Sequence, residues 1–333
     1  MINRRTAVLS MTTIAAGLNG CGEKVPDTLK IGMLVALSGS AGARGKDLLR
    51  GAEMAAEEIN AAGYKIAGRA VRLEILPFDD KTENDVAEQG AKELIASGVH
   101  AVLGPLNTPQ AQKVIPVVAE AGLPHLMTAT GAALLGLGKG NAVRLVANDD
   151  LQGRAAASFV HENLRAQRVA VIYESGDYGK GLRKVFVETF AKAGGKVGSE
   201  FSVDAKADVT AEMASKIKAE NAEVIMLFAR DPQLKSLFKS LQEVGHTKVT
   251  VVGSNVVRNA NTAAAQIPVE ALYATATAID PQEFHNGRQF LEAFESKFKE
   301  RPLWGAHYSY DAVHALAGAA ASAETVEPAK LVQ

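Results

Sequence analysis

Lys30-Ile31-Gly32-Met33-Leu34-Val35-Ala36-Leu37 runs straight into Ser38-Gly39-Ser40-Ala41-Gly42-Ala43-Arg44-Gly45, and from residue 47 to residue 62 apolar side chains recur every three or four positions. An apolar run, a glycine-rich loop and an amphipathic segment read as a strand, a turn and a helix. The unit repeats. Residues 71–78, 99–103, 168–172, 224–228 and 247–252 read as further buried strands, rich in Val, Ile and Leu. Residues 83–97, 109–121, 152–164, 179–193, 210–220 and 232–244 carry the helical spacing. Gly63, Gly98, Gly122, Gly194 and Gly245 follow helices closely, where a residue tolerant of positive φ closes the last turn. Links this short belong to right-handed βαβ units. The expected fold is therefore α/β, with two doubly wound parallel-sheet domains joined by crossover strands.

The length of 333 residues and a 47% hydrophobic composition suffice for two cores. No proline- or serine-rich linker separates them, so the boundary is expected in strand-like crossings near residues 146–150 and 275–280. That division gives one lobe from residues 29–148 with 277–333, closed by the Ala-rich helix after Tyr308, and a second from residues 149–276. The net charge of -1 offers no basic excess to track a phosphate backbone, so no nucleic acid partner is expected.

Residues 1–21 read as an export leader, with Arg4-Arg5 followed by an apolar run over residues 7–18. The run falls well short of the roughly 20 residues that a permanent membrane helix needs. It ends in Leu18-Asn19-Gly20-Cys21, which resembles the lipobox of bacterial lipoproteins. Cys21 is the only cysteine, so it has no disulfide partner in the chain and is expected to carry a lipid anchor to the membrane. The alternative is a plain cleavable leader beside an incidental cysteine. Residues 22–28 would form a short tether.

Ligands of open parallel sheets bind beyond the carboxyl ends of the strands. The loop holding Ser38 and Arg44 is the first candidate. Its glycines at 39, 42 and 45 follow GxxGxxG rather than the GxGxxG of dinucleotide loops, and no cofactor is expected. Thr108, just before Pro109, stands where a helix begins; it could face a ligand carboxylate or simply cap its helix. Ala129, Thr130 and Gly131 offer a hydroxyl and amides at the same edge. On the other half, the loops holding Tyr178 and Arg230 occupy equivalent junctions. No HExxH, GxSxG or Walker loop is present, so neither an enzyme nor a metal site is expected.

Leu37-Ser38-Gly39, Arg50-Gly51-Ala52-Glu53, Glu58-Ile59-Asn60, Phe78-Asp79-Asp80, Val102-Leu103-Gly104-Pro105 and Asp177-Tyr178-Gly179-Lys180-Gly181 occur in this order over both halves. With them the chain resembles the periplasmic leucine/isoleucine/valine-binding protein family, the type I receptors of branched-chain amino acid ABC transporters. The resemblance implies a periplasmic or otherwise extracytoplasmic receptor that closes on a small ligand and delivers it to an ABC transporter permease. It also implies that Thr108 and residues 129–131 hold a ligand carboxylate and that Tyr178 reaches in from the second lobe.

Two departures bear on the ligand. Where amino-acid binders of the family carry an acid for the ligand ammonium, this chain has Asn255, and an amide supplies no charge-assisted bond. Arg44 and Arg230 stand where the family often has aromatic residues, and a guanidinium can grip a carboxylate bidentately. The expected ligand is a carboxylate without an α-ammonium; the alternative is that both arginines face solvent and an amino acid binds. A sensor feeding a signalling partner and an exported enzyme remain the other readings. The last residues, 327–333, read as the opening of a helix where relatives continue for a few dozen residues.

Overall fold

The computed structural model describes residues 25–258 and 266–332. The expected leader and its lipidation site Cys21 lie outside those residues, as do residues 22–24 of the tether. The first sheet contains β1 (Thr28–Val35), β4 (Arg72–Asp79), β5 (Ala101–Leu103), β6 (His125–Met127) and β7 (Ala142–Arg144). They stand in the order β4-β1-β5-β6-β7 and every pairing is parallel. The second sheet contains β8 (Val169–Glu174), β9 (Val197–Val203), β10 (Val224–Phe228), β11 (Thr250–Gly253) and β12 (Ala271–Ala274). Its order is β12-β11-β10-β8-β9, again parallel throughout. A small antiparallel ribbon pairs β2 (Lys65–Ile66) with β3 (Arg69–Ala70).

Helices flank both sheets. α1 (Gly42–Ala61), α2 (Asn84–Ala96) and α3 (Thr108–Glu120) belong with the first, and α4 (Asp149–Ser158), α5 (Asp177–Lys192), α6 (Ala211–Ala219) and α7 (Asp231–Glu243) with the second. α8 (Gly287–Phe298), α9 (Ala306–Ser322) and the short α10 (Pro328–Leu331) return to the first. No helix among the described residues is long and apolar enough to cross a membrane.

Each sheet has one place where successive crossovers leave on opposite sides. In the first it lies between β1 and β5, and in the second between β8 and β10. The loops leading away from such a pair diverge and leave a crevice. Those loops carry Arg44 and Thr108 in one lobe, Tyr178 and Arg230 in the other.

The glycines after β1 serve packing. Gly39 has a φ of +73°, and a Cβ on Gly45 would fall 1.7 Å from the Ala36 carbonyl oxygen. α1 therefore starts directly against the end of its strand. Asp79 holds the same loop, accepting from Leu37 N at 2.7 Å and Ser38 Oγ at 2.6 Å. On the outer side α1 meets α9, where a Cβ on Gly51 would lie 1.9 Å from Ala306 O. Asp47 ties the two together: its carboxylate accepts the N–H groups of Leu303, Trp304, Gly305 and Ala306 at 2.7–3.1 Å. Between this pair and the sheet lies a core of Ile31, Met33, Leu48, Ala52, Val313 and Leu316.

The chain passes between the sheets after β7 and again after β12. The two passing segments lie side by side, Ala147 N donating to Thr277 O at 3.1 Å. Asn148 then caps α4 by accepting from Leu151 N at 2.9 Å. The helix expected to run through residue 164 stays α-helical only to Ser158 and widens into a π-helical turn over Phe159–Asn163.

Candidate functional site

The crevices of the two sheets face each other, and six of the nine expected site residues line one pocket there: Arg44, Thr108, Thr130, Tyr178, Arg230 and Asn255. Leu106, Asn107, Thr128, Val256 and Trp304 complete it. Ser38, Ala129 and Gly131 are not among the lining residues. The Ser38 hydroxyl is spent on Asp79. Ala129 is fully buried in a small apolar cluster, and the Gly131 amide donates to Thr108 Oγ1 at 3.1 Å.

That last bond corrects the reading of Thr108 as a capping residue. Asn107 occupies the N-cap of α3 and Thr108 is its first residue, so the hydroxyl is free to hold the neighbouring loop. Arg144 fixes that loop from behind, with Nε donating to Ala129 O at 3.0 Å and a terminal nitrogen to Gly131 O at 2.5 Å. The amides of the first turn of α3 have no acceptor within the helix. Asn107 Nδ2 and Thr128 Oγ1 are likewise buried with no partner among the described residues. Leaving such groups unpaired costs on the order of 1–3 kcal/mol each.

Both arginines are withdrawn from water. Arg230 Nε donates to Glu174 Oε2 at 2.7 Å, which neutralises it within the second lobe. Arg44 is 8% exposed and takes part in no salt bridge among the described residues. Its guanidinium carbon lies 5.7 Å from the centre of the Trp304 ring. Burial lowers its pKa to about 10; Arg230 pushes the same way, while Tyr178 and Asp231 pull against it. Neither side chain faces open solvent. No acidic side chain lines the pocket. Tyr178 donates to Asn255 Oδ1 at 2.9 Å, and burial raises its pKa well above the usual phenol value.

A polar relay runs from this pocket to the passing segments. Asp149 N donates to Thr130 O at 2.9 Å, and Asp149 Oδ1 accepts from Gln152 Nε2 at 2.9 Å. Gln152 Oε1 accepts from Asn255 N at 2.8 Å and Thr275 Oγ1 at 2.5 Å. Burial raises the pKa of Asp149 to about 6. The lobes also touch directly, Gln112 of α3 donating to Asp177 of α5 at 2.8 Å. The pocket between them measures about 20 Å³, room for roughly one water. No group of three or more His, Cys, Asp or Glu among the described residues is placed to hold a metal ion.

The family model described as periplasmic binding protein matches residues 28–333. The chain belongs to that family. Members are extracytoplasmic solute-binding proteins. This periplasmic binding protein is 31% identical over 234 residues to a Leu/Ile/Val-binding protein of Rhizobium johnstonii, a match covering 69% of this chain and 62% of that one. The chain thus spans under two thirds of that relative's length. It is 30% identical to an amino acid binding protein of Pseudomonas aeruginosa, over 91% of this chain and 81% of that one. Among solved structures, the branched-chain amino acid transporter substrate-binding protein LivJ of Streptococcus pneumoniae, in complex with isoleucine, superposes with a TM-score of 0.81 at 26% identity. That match covers 92% of this chain and 87% of LivJ. A Rhodopseudomonas palustris solute-binding protein in complex with benzoate shares the fold at 18% identity, with a TM-score of 0.79 over 92% and 84% of the two chains.

Val256 and Trp304 carried no signal of their own in the sequence, and Leu106, Asn107 and Thr128 were seen only as neighbours within the candidate loops. Asn107 and Thr128 could have been found as polar residues at strand-to-helix edges. Trp304 could not, because only the grip of Asp47 brings residues 303–306 to the cleft.

Proposed function

We propose that this protein is the solute-binding component of an ABC importer of the branched-chain amino acid type, and that it closes on a small carboxylate lacking an α-ammonium. The buried Arg44, which has no salt bridge among the described residues, carries the reading. A buried cation held by the Trp304 ring and the field of Asp231, with no salt bridge among the described residues, gains when an anion joins it. The Thr108 hydroxyl and the amides of Thr108 and Gln110 at the start of α3 supply neutral donors beside it, which suits the two oxygens of a carboxylate. An α-ammonium in the same space would meet two guanidinium groups and the Asn255 amide, whose oxygen Tyr178 already occupies.

In this reading the lobes comprise residues 29–148 with 277–333 and residues 149–276, and they hinge about the paired segments at Ala147 and Thr277. The loaded, closed form docks on a permease, Cys21 holds the protein to the membrane by lipid, and no bond of the ligand is made or broken. The relatives named for leucine, isoleucine and valine support the transporter class, while the pocket chemistry supports the shift in ligand.

Thermal denaturation with a ligand panel tests the reading. A ligand bound only by the folded state, at a hundredfold excess over its Kd, stabilises by about 2.7 kcal/mol. Aliphatic or aromatic monocarboxylates should raise the melting temperature and leucine should leave it unchanged. Stabilisation by leucine or valine, with none by the carboxylates, would overturn the choice of ligand.

A further inference from the structure

Away from the cleft, α8 and α9 line an open groove of about 590 Å³ beside the turn at Pro281, within the size range of small-molecule sites. Its apolar side is aromatic. Phe290 lies edge-on to Tyr310 with ring centres 5.3 Å apart, and Phe284 sits 5.8 Å from His307. Two carboxylates, Glu58 and Asp311, line it together with these rings, and no lysine or arginine does. The Tyr310 hydroxyl donates to Glu58. His307 lines the same space at 4% exposure; the backbone of Ile279 is its one hydrogen-bonding neighbour, which leaves a ring nitrogen without a partner among the described residues. An unpaired nitrogen on a buried imidazole is costly unless a ligand or water engages it.

We propose that this groove is a second ligand site, which takes a primary organic ammonium with a compact apolar body. The carboxylates of Glu58 and Asp311 and the aromatic faces attract the cation. The acceptor nitrogen of His307 takes one ammonium hydrogen, and the phenylalanines cover the apolar part. Burial holds His307 neutral down to about pH 4, so it presents an acceptor rather than a competing charge at neutral pH. Burial also raises the pKa of Asp311, a cost that a bound cation would relieve. The groove selects the opposite charge from the cleft.

Isothermal titration of the full chain with benzylammonium is the test, with benzyl alcohol and tetramethylammonium as comparison probes. Benzylammonium should bind at a single site, and the neutral alcohol and the quaternary cation should each bind at least about tenfold more weakly. Asp311→Asn should weaken benzylammonium about tenfold. Ala293→Trp, at an exposed position of α8 that lines the groove, should abolish binding while the circular dichroism melt stays that of the native chain. Undiminished binding to Ala293→Trp would overturn the proposal. So would equal affinity for either comparison probe, or no heat with benzylammonium at roughly 10 mM.

Discussion

Arg230 Nε donates to Glu174 Oε2 at 2.7 Å, with the two side chains only 16% and 5% exposed. Breaking a pair this far from water leaves a buried charge uncompensated. Glu174→Gln should lower unfolding free energy by about 3 kcal/mol in urea denaturation. A saturating carboxylate should recover part of the loss by neutralising the freed guanidinium. Equal losses with and without ligand would mean that Arg230 does not face the guest.

Arg44 stands in the opposite condition, a buried cation with no salt bridge among the described residues. Arg44→Met should leave the ligand-free protein as stable or more stable, by about 1 kcal/mol. The same change should weaken a carboxylate ligand between about tenfold and a hundredfold, since a charge-assisted bond contributes about 1.5–3 kcal/mol. Calorimetry together with a melt of the free protein separates the two effects.

Arg144 reaches the ligand only through the loop it holds. Arg144→Met removes the donors to Ala129 O and Gly131 O, so Thr130 and the bond from Gly131 to Thr108 lose their support. Carboxylate affinity should fall about tenfold. Lysine at this position should restore less than half of that free energy, because one ammonium does not replace the planar fork.

Asp149 gives a pH dependence. Burial raises its pKa from 3.8 to about 6. Between those values the folded chain keeps a proton that the unfolded chain has lost, so this group's contribution to stability falls as pH rises. The penalty is absent below about pH 4 and fully present above about pH 6, where it reaches about 2–3 kcal/mol. Asp149→Asn should therefore exceed the native chain in stability at pH 7 by about that amount, and the difference should close near pH 4. Urea midpoints at several pH values provide the measurement.

The parts of the fold that were legible are those where burial on both faces leaves an unbroken apolar run, as in β10 (Val224–Phe228), whose bounds the sequence reading matched. β9 was missed because it is an edge strand with one face in solvent and the hydroxyls and glycine of Val197–Val203 in its pattern. The two-residue strands β2 and β3 are too short to show a period. The loops at strand ends pointed to the correct edge of each sheet, which is why Arg44, Thr108, Thr130, Tyr178, Arg230 and Asn255 converge. Which side chains in a loop face the guest depends on competing partners. Ser38 looked equivalent to Thr108 until Asp79, 41 residues away, claimed its hydroxyl.

The grip of Asp47 on residues 303–306 sets an order of assembly. Every strand and helix of the second sheet lies between Asp149 and Ala274, so that half can settle from nearby pieces of chain. The first half has to wait for a stretch more than 250 positions downstream before α1 gains its outer neighbour, and closures over such separations are slow. The receptor should therefore mature from its middle outward, and the indole beside Arg44 should be among the last walls of the binding chamber to arrive.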